Sequence, residues 1–195
     1  MARRGGARYT LHMEPRSLFP TGDAAAKAAR RNVELKASLA SLEDARQTAE
    51  RVATQTLAVQ HQVDTYFQCT AGRLKLREIN GDSAQLIWYS RPDRPDARGS
   101  EYYLFDVQDP GLLKQMLTSG LGVRQIVTKR REIFLYHNVR IHLDEVEGRG
   151  SFLEFEAVLG PDHGVEEGAR RVAYLREAFQ LDDDCLLSGS YGDMG

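Results

Sequence analysis

From residue 31 the chain alternates polar and apolar side chains with a period of two. In an extended segment this puts Asn32, Glu34 and Lys36 on one face and Val33, Leu35 and Ala37 on the other. The same alternation returns over 61–67, 73–79, 84–91, 101–107, 123–131, 132–136, 139–146 and 151–159, and each is predicted as a strand. Turn signals separate them at Ala71-Gly72, Asn80-Gly81-Asp82, His137-Asn138 and Gly148-Arg149-Gly150. Three stretches change to helical spacing. Ser41, with Glu43 and Asp44 behind it, caps a helix running to about Gln55. Asp109-Pro110 opens a second, carrying Leu112, Leu113, Met116 and Leu117 and closed by Gly120 and Gly122. The third covers 165–179, with Val172, Leu175, Ala178 and Phe179 apolar. Residues 92–99, rich in Pro, Asp and Arg, are expected to form a mobile loop able to act as a lid.

The face opposite the apolar set collects charge on strand after strand. It holds Glu34, Lys36, Lys75, Arg77, Arg91, Lys129, Arg131, Arg140, His142, Asp144, Glu154 and Glu156, seven bases and four acids besides the histidine. A solvated sheet could carry such residues as ion-pair ladders, but it would be richer in Thr, Ser and Gln. Many antiparallel strands with few helices predict an α+β fold: a closed or nearly closed antiparallel β-barrel with flanking helices on its apolar outside. The charged face then lines a lumen, where surplus base calls for a bound anion. Arg and Lys from several strands suit a phosphate chain, and the carboxylates suit a hard divalent cation. His142 reads as a supporting residue, and Tyr102, Tyr103 and Phe105, with Cys69 and Cys185, read as packing residues.

Length and charge narrow this further. The 195 residues fit one domain over 31–187, preceded by an arm at 1–30 and followed by a tail at 188–195. The arm is Arg-rich but interrupted by Glu14 and Asp23, so an over-extended start fits it better than a transit peptide. With 26 Lys and Arg against 28 Asp and Glu, no nucleic-acid partner is expected. Two cysteines far apart predict neither a disulfide framework nor a zinc site, and no apolar run reaches membrane-spanning length. A cytoplasmic monomer or homodimer without membrane contact is expected.

In this order and spacing, Asn32-Val33-Glu34-Leu35-Lys36, Gly72 to Glu78, Leu86 to Arg91, Lys129-Arg130-Arg131, Ile141-His142-Leu143-Asp144 and Ser151 to Glu156 resemble the CYTH domain. That family includes class IV adenylate cyclases and thiamine or inorganic triphosphatases built on a triphosphate tunnel. The resemblance implies phosphate-binding roles for Lys36, Lys75, Arg77, Arg91, Lys129, Arg131 and Arg140. It implies Mg2+ or Mn2+ on Glu34, Asp144, Glu154 and Glu156, with Glu34, Lys36 and Asp144 catalytic. Asn32 stands where the family's Glu-x-Glu-x-Lys pattern has its first glutamate, so one negative charge is missing. The implied function is a metal-dependent enzyme acting on a nucleoside triphosphate, a cyclase making cyclic AMP and pyrophosphate from ATP. The alternative is a triphosphatase acting on inorganic or thiamine triphosphate, and a third possibility is a polyphosphate-binding module without turnover.

Overall fold

A computed structural model describes residues 29–193. Eight strands form a closed antiparallel barrel: β1 (Arg30–Leu39), β2 (Gln55–Phe67), β3 (Arg73–Ile79), β4 (Ser83–Ser90), β5 (Arg98–Asp106), β6 (Val123–Tyr136), β7 (Val139–Val146) and β8 (Gly150–Val158). Their order around the barrel is β1-β5-β4-β3-β2-β6-β7-β8, and β1 pairs with both β5 and β8 to close it. Three helices lie outside: α1 (Leu42–Val52), α2 (Pro110–Leu121) and α3 (Val165–Ala178). This is the closed antiparallel barrel with outer helices that the alternation predicts.

The main apolar core lies outside the barrel. Outward residues Val33, Leu35 and Ala37 of β1, Ile141 and Leu143 of β7, and Leu153, Phe155 and Ala157 of β8 pack under Ala45 and Ala49 of α1 and Val172 and Leu175 of α3. Each large side chain buried there contributes about 1.5–3 kcal/mol. At Gly168 an added Cβ would lie 3.1 Å from Leu159 and 3.2 Å from Ala157, so a small residue lets α3 settle onto β8. A smaller cluster of Phe67, Leu76 and Ala84 packs against Leu113 and Leu117 of α2. With the outer wall apolar, period two sends the intervening polar side chains inward.

Local signals account for most boundaries. Ser41 accepts from the Asp44 amide at 3.2 Å and Asp109 from the Leu112 amide at 2.9 Å, capping α1 and α2. Asn80 and Gly81, with φ of 53° and 79°, make the expected β3–β4 turn. Other expectations are corrected. The first helix stops at Val52, because the Thr54 amide and hydroxyl both bond to the Leu135 carbonyl and draw the chain into β2. The segments expected over 123–131 and 132–136 are one continuous strand. Tyr103 and Phe105 are not core: they are 49% and 69% exposed on the outside of β5, while Tyr102 points inward. Cys69 is exposed, whereas Cys185 packs against the main core. In loop 92–99 Asp93 accepts from Arg73 at 2.7 Å and Arg98 donates to the Arg94 carbonyl. The expected arm falls outside the described residues except for its last two.

Candidate phosphate and metal site

All seven predicted phosphate-binding bases and three of the four predicted acids, Glu34, Glu154 and Glu156, line one cavity of about 330 Å³ inside the barrel. Strand register explains the convergence. Glu34 stands opposite Glu156 and Lys36 opposite Glu154 across β1–β8, and His142 and Arg140 stand opposite the same two glutamates from β7. Lys75 and Arg77 enter from β3, and Lys129 and Arg131 from β6. Arg91 follows β4 and forms an ion pair with Glu34, whose carboxylate also lies 3.5 Å from Arg98.

Two aspartates behind this lining hold the bases in place. Asp144, fully buried, receives Arg131 through two bonds of 2.6 Å and the Tyr191 hydroxyl at 2.7 Å, with Lys129 at 3.6 Å. Asp64 is its counterpart on β2. It receives Arg77 at 2.7 and 2.8 Å and Lys75 at 3.0 Å, with Lys129 at 3.7 Å. Burial opposes ionisation of Asp64, but Arg77, Lys75 and Lys129 outweigh it and hold its carboxyl well below the usual range. The same balance, with Arg131 and Lys129 as partners, lowers Asp144. Glu154 is also held low against its burial, by Lys36, His142 and Arg131.

The lysines experience the reverse. Burial, then Arg77, pull the Lys75 ammonium down to about 8, and burial, then Arg131, lower Lys129 well below the usual lysine value. An arriving anion would reverse this by restoring their protons.

Sequence reasoning missed several contributors. Asp64, Gln62 and Tyr66 share the inward face of β2, a face visible as soon as Val63, Thr65 and Phe67 are read as the outer one. Tyr191 had no signal. Residues 187–193 leave the outer wall, where the Leu187 amide bonds to the Lys36 carbonyl, and enter one end of the barrel. There the Tyr191 ring sits 3.6 Å from Lys36 Nζ and 4.8 Å from Lys129 Nζ. Asp193 beyond it bonds to Arg73 at 3.0 Å and Arg124 at 2.9 Å. Gly192 lies flat on Tyr66, where a Cβ would come within 2.9 Å of the ring. Apolar side chains share the lining: Leu57 on β2, Ile79 on β3, Leu104 on β5 and Ile133 on β6, interleaved with Gln60, Gln62 and Gln85.

A closed antiparallel barrel with a base-lined lumen and a carboxylate cluster on one wall offers an anion charge-assisted contacts from several sides. A family model for the CYTH domain matches residues 30–188, and this chain belongs to that family. Among solved structures, a protein from Pyrococcus horikoshii aligns with a TM-score of 0.74 at 25% identity, over 83% of this chain and 98% of that one. A candidate adenylate cyclase from Vibrio parahaemolyticus aligns at 0.70 and 20% identity, over 86% and 98%. A candidate adenylyl cyclase from Hippeastrum, with a dominant triphosphatase activity, aligns at 0.56 and 16% identity, over 82% and 91%. No curated protein matches the sequence. Among the described residues no helix is long and apolar enough to cross a membrane.

Proposed function

We propose that this protein is a metal-dependent enzyme acting on a nucleoside triphosphate, with the phosphate chain held inside the barrel. The observation that carries the reading is the presence, in one cavity, of seven bases together with the apolar side chains of Leu57, Ile79, Leu104 and Ile133. Inorganic triphosphate would use the bases alone, whereas a nucleoside would also cover apolar lining.

The donor set fits a divalent cation: Glu154, Glu156 and His142 offer ligand atoms within 4.8 Å of one another. Glu34, across the register from Glu156, adds a third lining carboxylate. A bound Mg2+ or Mn2+ would supply charge neutralisation at the phosphate oxygens. Asp144 takes a different part from the metal-binding one expected of it, because Arg131 and Tyr191 already occupy its oxygens. Its part is to orient Arg131. Lys36, Lys75, Arg77, Arg91, Lys129 and Arg131 bind the phosphate oxygens, and Arg140, the more exposed base, acts from the rim.

With the chain fixed, the ribose 3′ oxygen attacks the α-phosphorus. The O3′–P bond forms, the bond to the β-phosphate oxygen breaks, pyrophosphate leaves and the hydroxyl proton passes to solvent. Water directed at the terminal phosphorus would make the same cage a triphosphatase. Chromatography of ATP, tripolyphosphate and thiamine triphosphate incubated with the protein and Mg2+ or Mn2+ decides between them. Cyclic AMP with pyrophosphate is the expected product from ATP. Orthophosphate would establish the triphosphatase instead, and no turnover with retained binding would leave a binding module.

The lysines give the site a pH dependence. A bound triphosphate raises their pKa values, so the affinity they contribute is full below the free-state value and lost as pH rises through the bound-state value. For Lys75 the free-state value is about 8. The terminal phosphate, with a second pKa near about 6, is already ionised there. Tripolyphosphate affinity measured by calorimetry in chelator should therefore fall as pH rises above 8, with proton uptake on binding between pH 8 and 9. A flat profile with no proton uptake would show that Lys75 does not meet the phosphates.

A further inference from the structure

One group in the cavity is left unused by this handling of the phosphate chain. His142 is 4% exposed, lines the cavity, and its Nδ1 has no hydrogen-bond partner, although buried imidazole nitrogens ordinarily have one. The register of β7 and β8 sets it directly across from Glu154. Nδ1 stands 3.7 Å from Glu154 Oε2 and Nε2 stands 4.0 Å from Glu156 Oε2, both beyond hydrogen-bond length. Two carboxylates and an imidazole edge therefore face one another across gaps too wide for direct bonds and suited to a shared ion, which would share Glu154 Oε2 with the Arg131 guanidinium 2.9 Å away. On the same lining, Asn32 is 4% exposed with its Oδ1 also unpartnered, so the neutral residue in the family's acidic position adds an oxygen without a charge.

We infer that His142 is a nitrogen ligand, beside Glu154 and Glu156, of the divalent ion in this cavity, and that it makes the centre select Mn2+ over Mg2+. The inference rests on the proposed metal dependence and deepens it. Mg2+ favours an all-oxygen shell and gives up water reluctantly, whereas first-row ions accept imidazole together with carboxylate. Whichever ring nitrogen binds the ion, the other lies within 4.0 Å of a carboxylate that a small adjustment would let it bond, as ligating histidines commonly do. A purely oxygen-based centre would have no use for an unpartnered buried imidazole at this position.

The test uses the full chain, stripped with chelator, and Mn2+ as the probe without substrate. Pulsed paramagnetic resonance of bound Mn2+ should show a nitrogen coupling that changes on 15N-histidine labelling and is absent in His142→Gln. Competition between the ions should show the Mn2+ over Mg2+ preference falling by about tenfold in that variant. Bound Mn2+ without nitrogen coupling in the unaltered protein would overturn the inference whether or not the variant folds. So would an unchanged preference in a folded variant, or a failure of Mn2+ to bind. Tripolyphosphate calorimetry in chelator separates the two readings. Loss of tripolyphosphate binding would remove the phosphate reading of the cavity, whereas retained binding beside nitrogen-free Mn2+ would remove only the role of His142.

Discussion

Asp64→Ala is expected to lower the stability of the protein by about 3–5 kcal/mol, the usual cost of removing one partner from a buried charge cluster. Asp64 is fully buried and is the shared acceptor of Arg77 and Lys75, with Lys129 within 3.7 Å. Without it, Arg77 and Lys75 face one another with no anion between them, and Lys129 keeps only Asp144, at 3.6 Å. The variant should respond more strongly to ligand than the unaltered protein, because an added triphosphate would supply the missing negative charge. Thermal denaturation with and without tripolyphosphate reads both effects. The melting temperature should drop without ligand, and the ligand-induced rise should exceed that of the unaltered protein. An equal rise in the two proteins would place the phosphate chain away from Lys75 and Arg77.

The second large effect concerns turnover. Glu154→Gln combined with Glu156→Gln should reduce metal-dependent turnover by about 10²-fold or more, equivalent to roughly 3 kcal/mol at 1.36 kcal/mol per decade. The glutamine amides keep acceptor oxygens toward Lys36 and Arg131, which lie 3.5 and 2.9 Å from Glu154, so the bases stay positioned. Tripolyphosphate binding in chelator should be retained or tightened, since two negative charges leave the cavity. Turnover kinetics beside calorimetry separates the outcomes. Parallel loss of binding and turnover would mean that the glutamates serve the phosphate cage and not the metal.

The barrel was legible in the sequence because its two faces obey one rule throughout. Where the outer set was strongly apolar, as with Leu74 and Leu76 or Ile141 and Leu143, the inward set followed by elimination, and so did all seven bases. Asp64 is harder to place because both faces of β2 mix polar and apolar side chains, Gln62, Asp64 and Tyr66 on one and Val63, Thr65 and Phe67 on the other. The early part of β2 escaped for another reason: its register shifts between Thr56 and Ala58, and such an irregularity disrupts strict alternation. Tyr103 and Phe105 show the limit of composition, since aromatic character suggested core while their phase put them outside. Tyr191 was not legible at all, because its burial depends on contacts with Lys36 and Asp144, far away in the chain, and no local pattern encodes them.

The pairing of β1 with β8 also sets a timetable for the nascent chain. The seam that completes the cylinder joins the first strand to the last, so the wall stays open until residue 158 has been synthesised, and the Tyr191 plug is added later still. Contacts so distant in sequence form slowly, because the loop entropy is spent before the pairing rewards it. Until then Lys75, Arg77, Lys129 and Arg131 lie on an unclosed sheet in water, where high dielectric softens their repulsion. Closure removes that water in its last step and leaves them Asp64, Asp144 and Glu154 as fixed counterions. An added polyanion would supplement those carboxylates, so refolding should be faster in tripolyphosphate than in sodium chloride of equal ionic strength.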